Sequence, residues 1–463
     1  MSSGVGEHRH YRQSVPPLAG LCTYAEASRP GIPVDANVTL LRRYNYVERR
    51  LVEICAAHLA RTPEWEVKCA LALHLWLDTE HGLALRGRVA EMREPVPRLD
   101  DVPDEQLHAV LEEAIRAETT VELLSGVYRV IRPELARSLG VHLELTNPLI
   151  DHPTCRILRL ALGEELDMIS WGNAALEGLV DDDLSASAAG EWEAHLGELL
   201  RVAGGIAGDL PASSGSPRPT RWNGTPYEMD AVPRRDERFV DSFNASAEVN
   251  DYYRDESRQS DERVYALLYK RLKEMDVPEW MAPIIYKTQG KPWRYYVDLG
   301  RQLWDEARHA MMGEVGLHSL GIPFYRYPVD IASSLTLNTE FTPREAHAIL
   351  WWIEQGLMPR KTGKPLEWQI ARDHGDDLFT AIQDYDWADE VLHARIGREW
   401  LIPDFGSRDE LATAAQDAWP RWQRAKDVVS SRSEQEAWWP RFLEDARDGV
   451  SVSGPRSDVG AND

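Results

Sequence analysis

The 463-residue chain has only four cysteines, Cys22, Cys55, Cys69 and Cys155, and no two of them form a Cys-x-x-Cys pair. A zinc knuckle and a disulfide framework are excluded, because each needs thiols paired at short spacing. No run reaches the 18 apolar residues of a membrane-spanning helix. The first twenty residues carry charges and prolines instead of the apolar core of an export signal, so a cytoplasmic protein is expected. Positive charge is also short: 52 Lys and Arg stand against 76 Asp and Glu, a formal charge of −24. A field of that sign repels phosphate backbones and anionic lipid, so neither nucleic acid nor a membrane is an expected partner. The glycine-rich loops of nucleotide sites and the Gly-x-Ser-x-Gly turn of serine hydrolases are missing. No Asn-Gly or Asp-Gly pair joins two alternating strands, which disfavours a β-rich fold.

What is present is helical. Hydrophobic residues make up 43% and charged residues 28%, proportions of a folded globular chain. Leu41, Tyr44, Leu51 and Cys55 form one apolar stripe, and Leu107, Leu111, Ala114 and Ile115 form another. The run from Gly204 to Arg235, rich in Gly, Pro and Ser, breaks the pattern. The sequence therefore divides into an extension (1–35), a helical block (36–203), a linker or surface excursion (204–260), a second block (261–404) and a C-terminal helix with a disordered tail (405–463). A shift of 228 residues lays Trp65 on Trp293, Leu71 on Leu299, Leu75 on Leu303, Trp76 on Trp304 and His81 on His309, with Asp78 on Glu306. Two divergent copies of one helical unit are expected. The tryptophans at helical spacing, Trp351, Trp352 and Trp368, read as core, and His8 and His10 as part of a polar tail.

An acid three residues before a histidine puts both side chains on one helix face, where they can share a metal. The longer form, two acids followed by x-x-His, occurs three times: at Asp104, Asp305 and Asp389. The copy at Asp104 follows Pro103 at a helix start, where acids cap backbone amides. The other two lie inside helices. Glu306 and His309 continue the stripe of Leu299, Leu303 and Ala310, and Glu390 and His393 that of Phe379 and Ile382. Carboxylates on a core face require a cation or a hydrogen-bonded network.

Two Glu-x-x-His motifs on separate helices resemble the ferritin-like dimetal carboxylate bundle, in which two further helices each add a lone Glu. The Asp before each motif, Asp305 and Asp389, is similar to the acid that orients a ligating His in di-iron oxygenases. The resemblance implies an all-α fold of pseudo-duplicated ferritin-like four-helix bundles. It also implies lone ligands from a first and a third helix. Glu279 lies on the stripe of Leu268, Leu272 and Met275 and is the expected first-helix ligand, with Asp276 behind it and Glu274 on a solvated face beside Lys270 and Arg271. Thr342-Pro343-Arg344-Glu345 reads as a capping box, which commits Glu345 and leaves Glu354 as the third-helix ligand. The expected metal set is Glu279, Glu306, His309, Glu354, Glu390 and His393, with Glu306, His309, Glu390 and His393 central to catalysis.

The first block offers Glu48, Asp78 and His81, then Glu118 or Glu122, then Glu165, but Met168 stands where a second His belongs. A thioether is a poor ligand in an oxygen-rich site, so a degenerate copy is expected there. Four carboxylates in the second block balance two divalent metals, and hard oxygens with two imidazoles suit two iron ions, with Mn/Fe or two Mn as variants. The resemblance implies O2 as co-substrate and oxidation of a small organic molecule: hydroxylation, N-oxygenation, desaturation, oxidative cleavage or halogenation. Without a flavin or nicotinamide motif, electrons come from an external donor or from the substrate. A homodimer is a further expectation. The alternatives are an inactive helical scaffold or partner protein, and an iron-handling protein.

Overall fold

The computed structural model describes residues 15–211, 220–246 and 249–448. His8, His10 and the expected disordered tail at 451–463 lie outside them. Among the described residues every regular element is helical and no strand occurs, so the fold is all-α. Among these residues no helix is long and apolar enough to cross a membrane. None of the four cysteines is in a disulfide.

The chain divides into two compact units, Met1–Arg50 with His81–Thr225, and Leu51–Glu80 with Pro226–Asp463. The divisions fall inside helices α1 (Val34–Leu59) and α2 (Trp65–Met92). The first unit continues with α3 (Arg132–Leu145), α4 (His152–Leu179) and α5 (Asp183–Val202). Asp151 and Asp182 start α4 and α5 by accepting from backbone N–H groups three residues on. A π-helical turn, Gly126–Ile131, runs into α3. It lies close on α4 because Gly172 has no side chain: a Cβ there would sit 2.1 Å from Cγ of Tyr128. The Asp104 motif is a helix cap, its carboxylate accepting from Leu107 N at 2.9 Å.

The second unit holds α6 (Ser260–Lys273), α7 (Asp276–Lys287), α8 (Trp293–Ser319), α9 (Pro343–Gly356), α10 (Lys364–His374), α11 (Asp377–Phe405) and α12 (Arg408–Ser430). α6 packs on α8, and α11 packs on α8, α9 and α10. Leu268 and Leu272 of α6 and Ala310 and Leu317 of α8 belong to one buried apolar cluster. The two backbones approach at Gly313, where a Cβ would meet Leu272 N at 2.2 Å. Thr342 and Glu345 form the capping box of α9.

The 228-residue interval recurs in the helix boundaries. It separates the ends of α1 and α7 (Leu59, Lys287), the starts of α2 and α8 (Trp65, Trp293) and the ends of α5 and α12 (Val202, Ser430). Between Gly204 and Arg235 the described residues form no helix.

Candidate metal centre

Two helices supply most of the centre. On α8, Glu306 and His309 are one turn apart and buried, as are Leu299, Leu303 and Ala310 on the same stripe. On α11, Asp386, Glu390 and His393 follow Phe379 and Ile382 on the buried face. The last turn of α9 contributes Glu354, and Glu274 caps the C-terminus of α6. Two groups of donor atoms result, each within 4.8 Å of one another: Glu306, Glu354, Glu390 and His393, and Glu274, His309 and Asp386. His393 Nδ1 is 3.1 Å from Glu306 and 3.6 Å from Glu390. His309 Nδ1 is 3.4 Å from both Glu274 and Asp386, and 3.6 Å from the other oxygen of Glu306. Glu306 thus faces both imidazoles.

The opposite edge of each imidazole meets the Asp of the other motif. His393 Nε2 is 3.4 Å from Asp305, and His309 Nε2 is 3.2 Å from Asp389. Arg308 binds both aspartates, and Arg301 binds Asp305 at 2.8 Å. With Nε2 committed to a carboxylate, each ring presents Nδ1 inward. Both Nδ1 atoms, and one oxygen each of Glu274, Glu354, Asp386 and Glu390, are buried without a hydrogen-bond partner. Buried polar atoms left in this state are costly, and a cation among them removes the cost.

The electrostatics agree. Burial, then Glu390 and Glu306 beside it, hold the Glu354 carboxyl well above its ordinary range. Burial pushes Glu390 upward too, but the Lys364 charge, Glu354 and the nearby His393 outweigh it and hold it well below. Burial opposes the charging of His393, yet Asp305, Glu306 and Glu390 raise it well above the ordinary imidazole value. His309 is raised in the same way, chiefly by Asp386 against the effect of burial. Excess negative charge is thus held by protons that a metal would displace.

Glu279 is not part of this group. Its carboxylate is paired with Lys68 and Arg235 and accepts from the Ser334 hydroxyl at 3.3 Å. Asp276 is likewise elsewhere, accepting from Ser334 N at 2.9 Å. The acid that α6 contributes is Glu274, which the sequence reading places on a solvated face. Asp386 was also missed, although it lies one turn before Glu390 on the same stripe. Lys364 and Arg271 were missed as well. Lys364 Nζ is 2.8 Å from Asp386 and 2.9 Å from Glu390, and Arg271 Nη2 is 3.0 Å from Glu274. No sequence signal marks either cation as part of the centre.

In the first unit, His81 Nδ1 is 3.2 Å from Glu48 and 3.8 Å from Glu165, while Nε2 meets Glu164 at 2.6 Å. Asp78 lies one turn earlier on the same helix. Arg132, the first residue of α3, donates to both oxygens of Glu165 at 2.9 and 3.1 Å. Burial raises Glu165 to about 7 even so. Glu118 and Glu122 pair with Arg221 instead, at 3.8 and 2.8 Å.

Comparisons of the chain with protein-family models, curated proteins and solved structures found no match.

Proposed function

We propose that the second unit carries a non-haem metal-carboxylate centre of ferritin-like type, and that the protein is an O2-dependent oxidoreductase acting on a small organic substrate. The crossed pairing of Asp305 with His393 and of Asp389 with His309 carries this reading. Ligating histidines characteristically donate their outer N–H to a carboxylate, which fixes the tautomer and aims the inner nitrogen at the metal. A pair of core histidines satisfied only for stability has no need to leave both Nδ1 atoms unbonded among carboxylates. The candidate ligands are Glu306, Glu354, Glu390 and His393, with Glu274, His309 and Asp386 beside them.

Carboxylate oxygens with imidazole suit iron or manganese. Such ions supply one-electron redox couples and an open position for O2. The chain's own groups hold the ligands: Arg301 and Arg308 fix the two aspartates, and these fix the rings. Arg301 also lines a cavity of about 460 Å³ with Trp76, Arg294, Asp298, Leu392 and Arg395, a volume suited to a small molecule. Electrons come from the substrate or an external donor, and a cytoplasmic setting and a homodimer belong to the same proposal.

The test is anaerobic loading with Fe(II), then exposure to O2 while visible absorbance and O2 uptake are followed. Wild type is expected to develop an oxidised-iron chromophore that Glu306→Ala lacks. Identical metal uptake and O2 reaction in both proteins would overturn the proposal, and the scaffold reading would replace it.

A further inference from the structure

The two groups of ligands do not face the same charge. Glu306, Glu354, Glu390 and His393 form a set of three carboxylates, of which Lys364 meets Glu390 at 2.9 Å; among the described residues no Lys or Arg ion pair to Glu306 or Glu354 is found. Glu274 and Asp386 form a set of two, and two cations already meet them. Lys364 Nζ is 2.8 Å from Asp386 and 3.4 Å from Glu274, while Arg271 binds the same two residues. Lys364 and Arg271 are both fully buried, so no water screens these pairs. Arg271 is held further by Glu367 at 3.0 Å. A dication entering this second set must therefore displace a cation or sit beside two of them.

We infer that the centre is asymmetric as built: one divalent metal binds at Glu306, Glu354, Glu390 and His393, and the Lys364 ammonium closes the position at Glu274, Asp386 and His309 until it swings away. This rests on the metal-centre reading above and adds the order in which its positions fill.

Lys364 is suited to leave and Arg271 is not. A lysine carries a compact charge on a flexible four-carbon stem, whereas a guanidinium bonded to several carboxylates is fixed by its fork. Lys364 is also the first residue of α10, and its backbone N–H donates to the Leu357 carbonyl at 2.9 Å. The turn before it is tight around Gly363, where a Cβ would lie 2.0 Å from the Leu357 carbonyl oxygen, so the backbone is anchored and the motion belongs to the side chain. The first unit has the same device in a permanent form. Arg132, where the π-helical turn passes into α3, is also fully buried and donates to both oxygens of Glu165. Both bonds come from Nη1, and an arginine there cannot be deprotonated. A fixed cation thus meets Glu165 in one unit, and an exchangeable one guards the second metal position in the other.

The experiment is anaerobic titration of the full chain with Mn(II), followed by calorimetry and electron paramagnetic resonance. Wild type is expected to bind one equivalent tightly with an uncoupled six-line spectrum. A second equivalent is expected to bind about 100-fold more weakly, the order of the penalty for crowding an added charge against buried ones. Lys364→Met is expected to bind two equivalents of similar affinity with an exchange-coupled spectrum. Lys364→Arg keeps the charge on a less displaceable group, and is expected to bind one equivalent and refuse the second. Circular dichroism reports folding of each variant, and if Lys364→Met does not fold, the Lys364→Arg result decides. Two equivalents of equal affinity in wild type, a single site in folded Lys364→Met, or a second equivalent in Lys364→Arg matching that of wild type would overturn the inference while leaving the metal centre standing. No Mn(II) binding to wild type would overturn the metal centre itself.

Discussion

At the scale of single residues, two acids five positions apart show what separates a candidate ligand from a structural ion pair. Both meet two cations, Glu279 with Lys68 and Arg235 and Glu274 with Arg271 and Lys364, but Glu274 also faces the His309 imidazole. Glu279→Gln should therefore leave metal stoichiometry unchanged while destabilising the fold by about 3–5 kcal/mol, because two buried cations lose their counter-charge. Metal analysis and urea unfolding measured together check both halves of that statement. Asp389→Asn acts in the opposite sense. It should preserve the fold and weaken metal binding about 10–100-fold, since it loosens the ring orientation of His309 without removing a ligand. Competition with a chelator measures it, and unchanged affinity would mean that the crossed Asp–His pairs are structural only. Glu306, His309, Glu390 and His393 were legible in the sequence because each pair repeats at helical spacing on a buried stripe. Glu274 was not, because the stripe through Leu268, Leu272 and Met275 was followed across a break: α6 ends at Lys273 and α7 begins at Asp276, so the face rotates between them.

At the scale of elements, the centre depends on how closely helices approach. Gly397 on α11 lies under Trp351 of α9, and a Cβ there would be 2.7 Å from Trp351 Cδ1. Gly397→Ala should push α9 outward and carry Glu354, three residues beyond Trp351, away from Glu390. A loss of about 1–3 kcal/mol is expected, the usual cost of an overpacked core, with weaker metal binding. Gly356, in the same helix as Trp351, has nothing within 4 Å of its missing Cβ. Gly356→Ala should then be neutral or stabilising by up to about 1 kcal/mol through the unfolded chain. Thermal melts with and without metal separate the two variants, and equal effects would contradict the packing argument. The capping box at Thr342 and Glu345 was readable from four residues, because capping is local. The entry of Lys364 into the centre was not, because it follows from how α10 docks against α11, and nothing in the residues around Lys364 encodes that docking.

At the scale of the whole molecule, the helical class was visible in the sequence, since it rests on periodicity, and the 228-residue interval between Trp65 and Trp293 returns in three pairs of helix boundaries. That interval did not reveal that each unit brings a buried cation to a buried acid. Charge at this scale also sets the response to pH. Burial lowers His347 to about 4, below the value of about 6.5 for an unfolded chain. Between those values the unfolded state binds a proton that the folded state refuses, so this residue costs stability as pH falls from about 6.5 to about 4. His347→Phe should flatten the fall of the urea midpoint across that window relative to wild type, and parallel curves would contradict the assignment. Anomalous diffraction at the iron or manganese edge, from crystals of metal-loaded protein, tests the metal position most directly. A peak enclosed by Glu306, Glu354, Glu390 and His393 is predicted. A peak only beside His81 and Glu48, or none in protein shown to be exposed to metal, would contradict it.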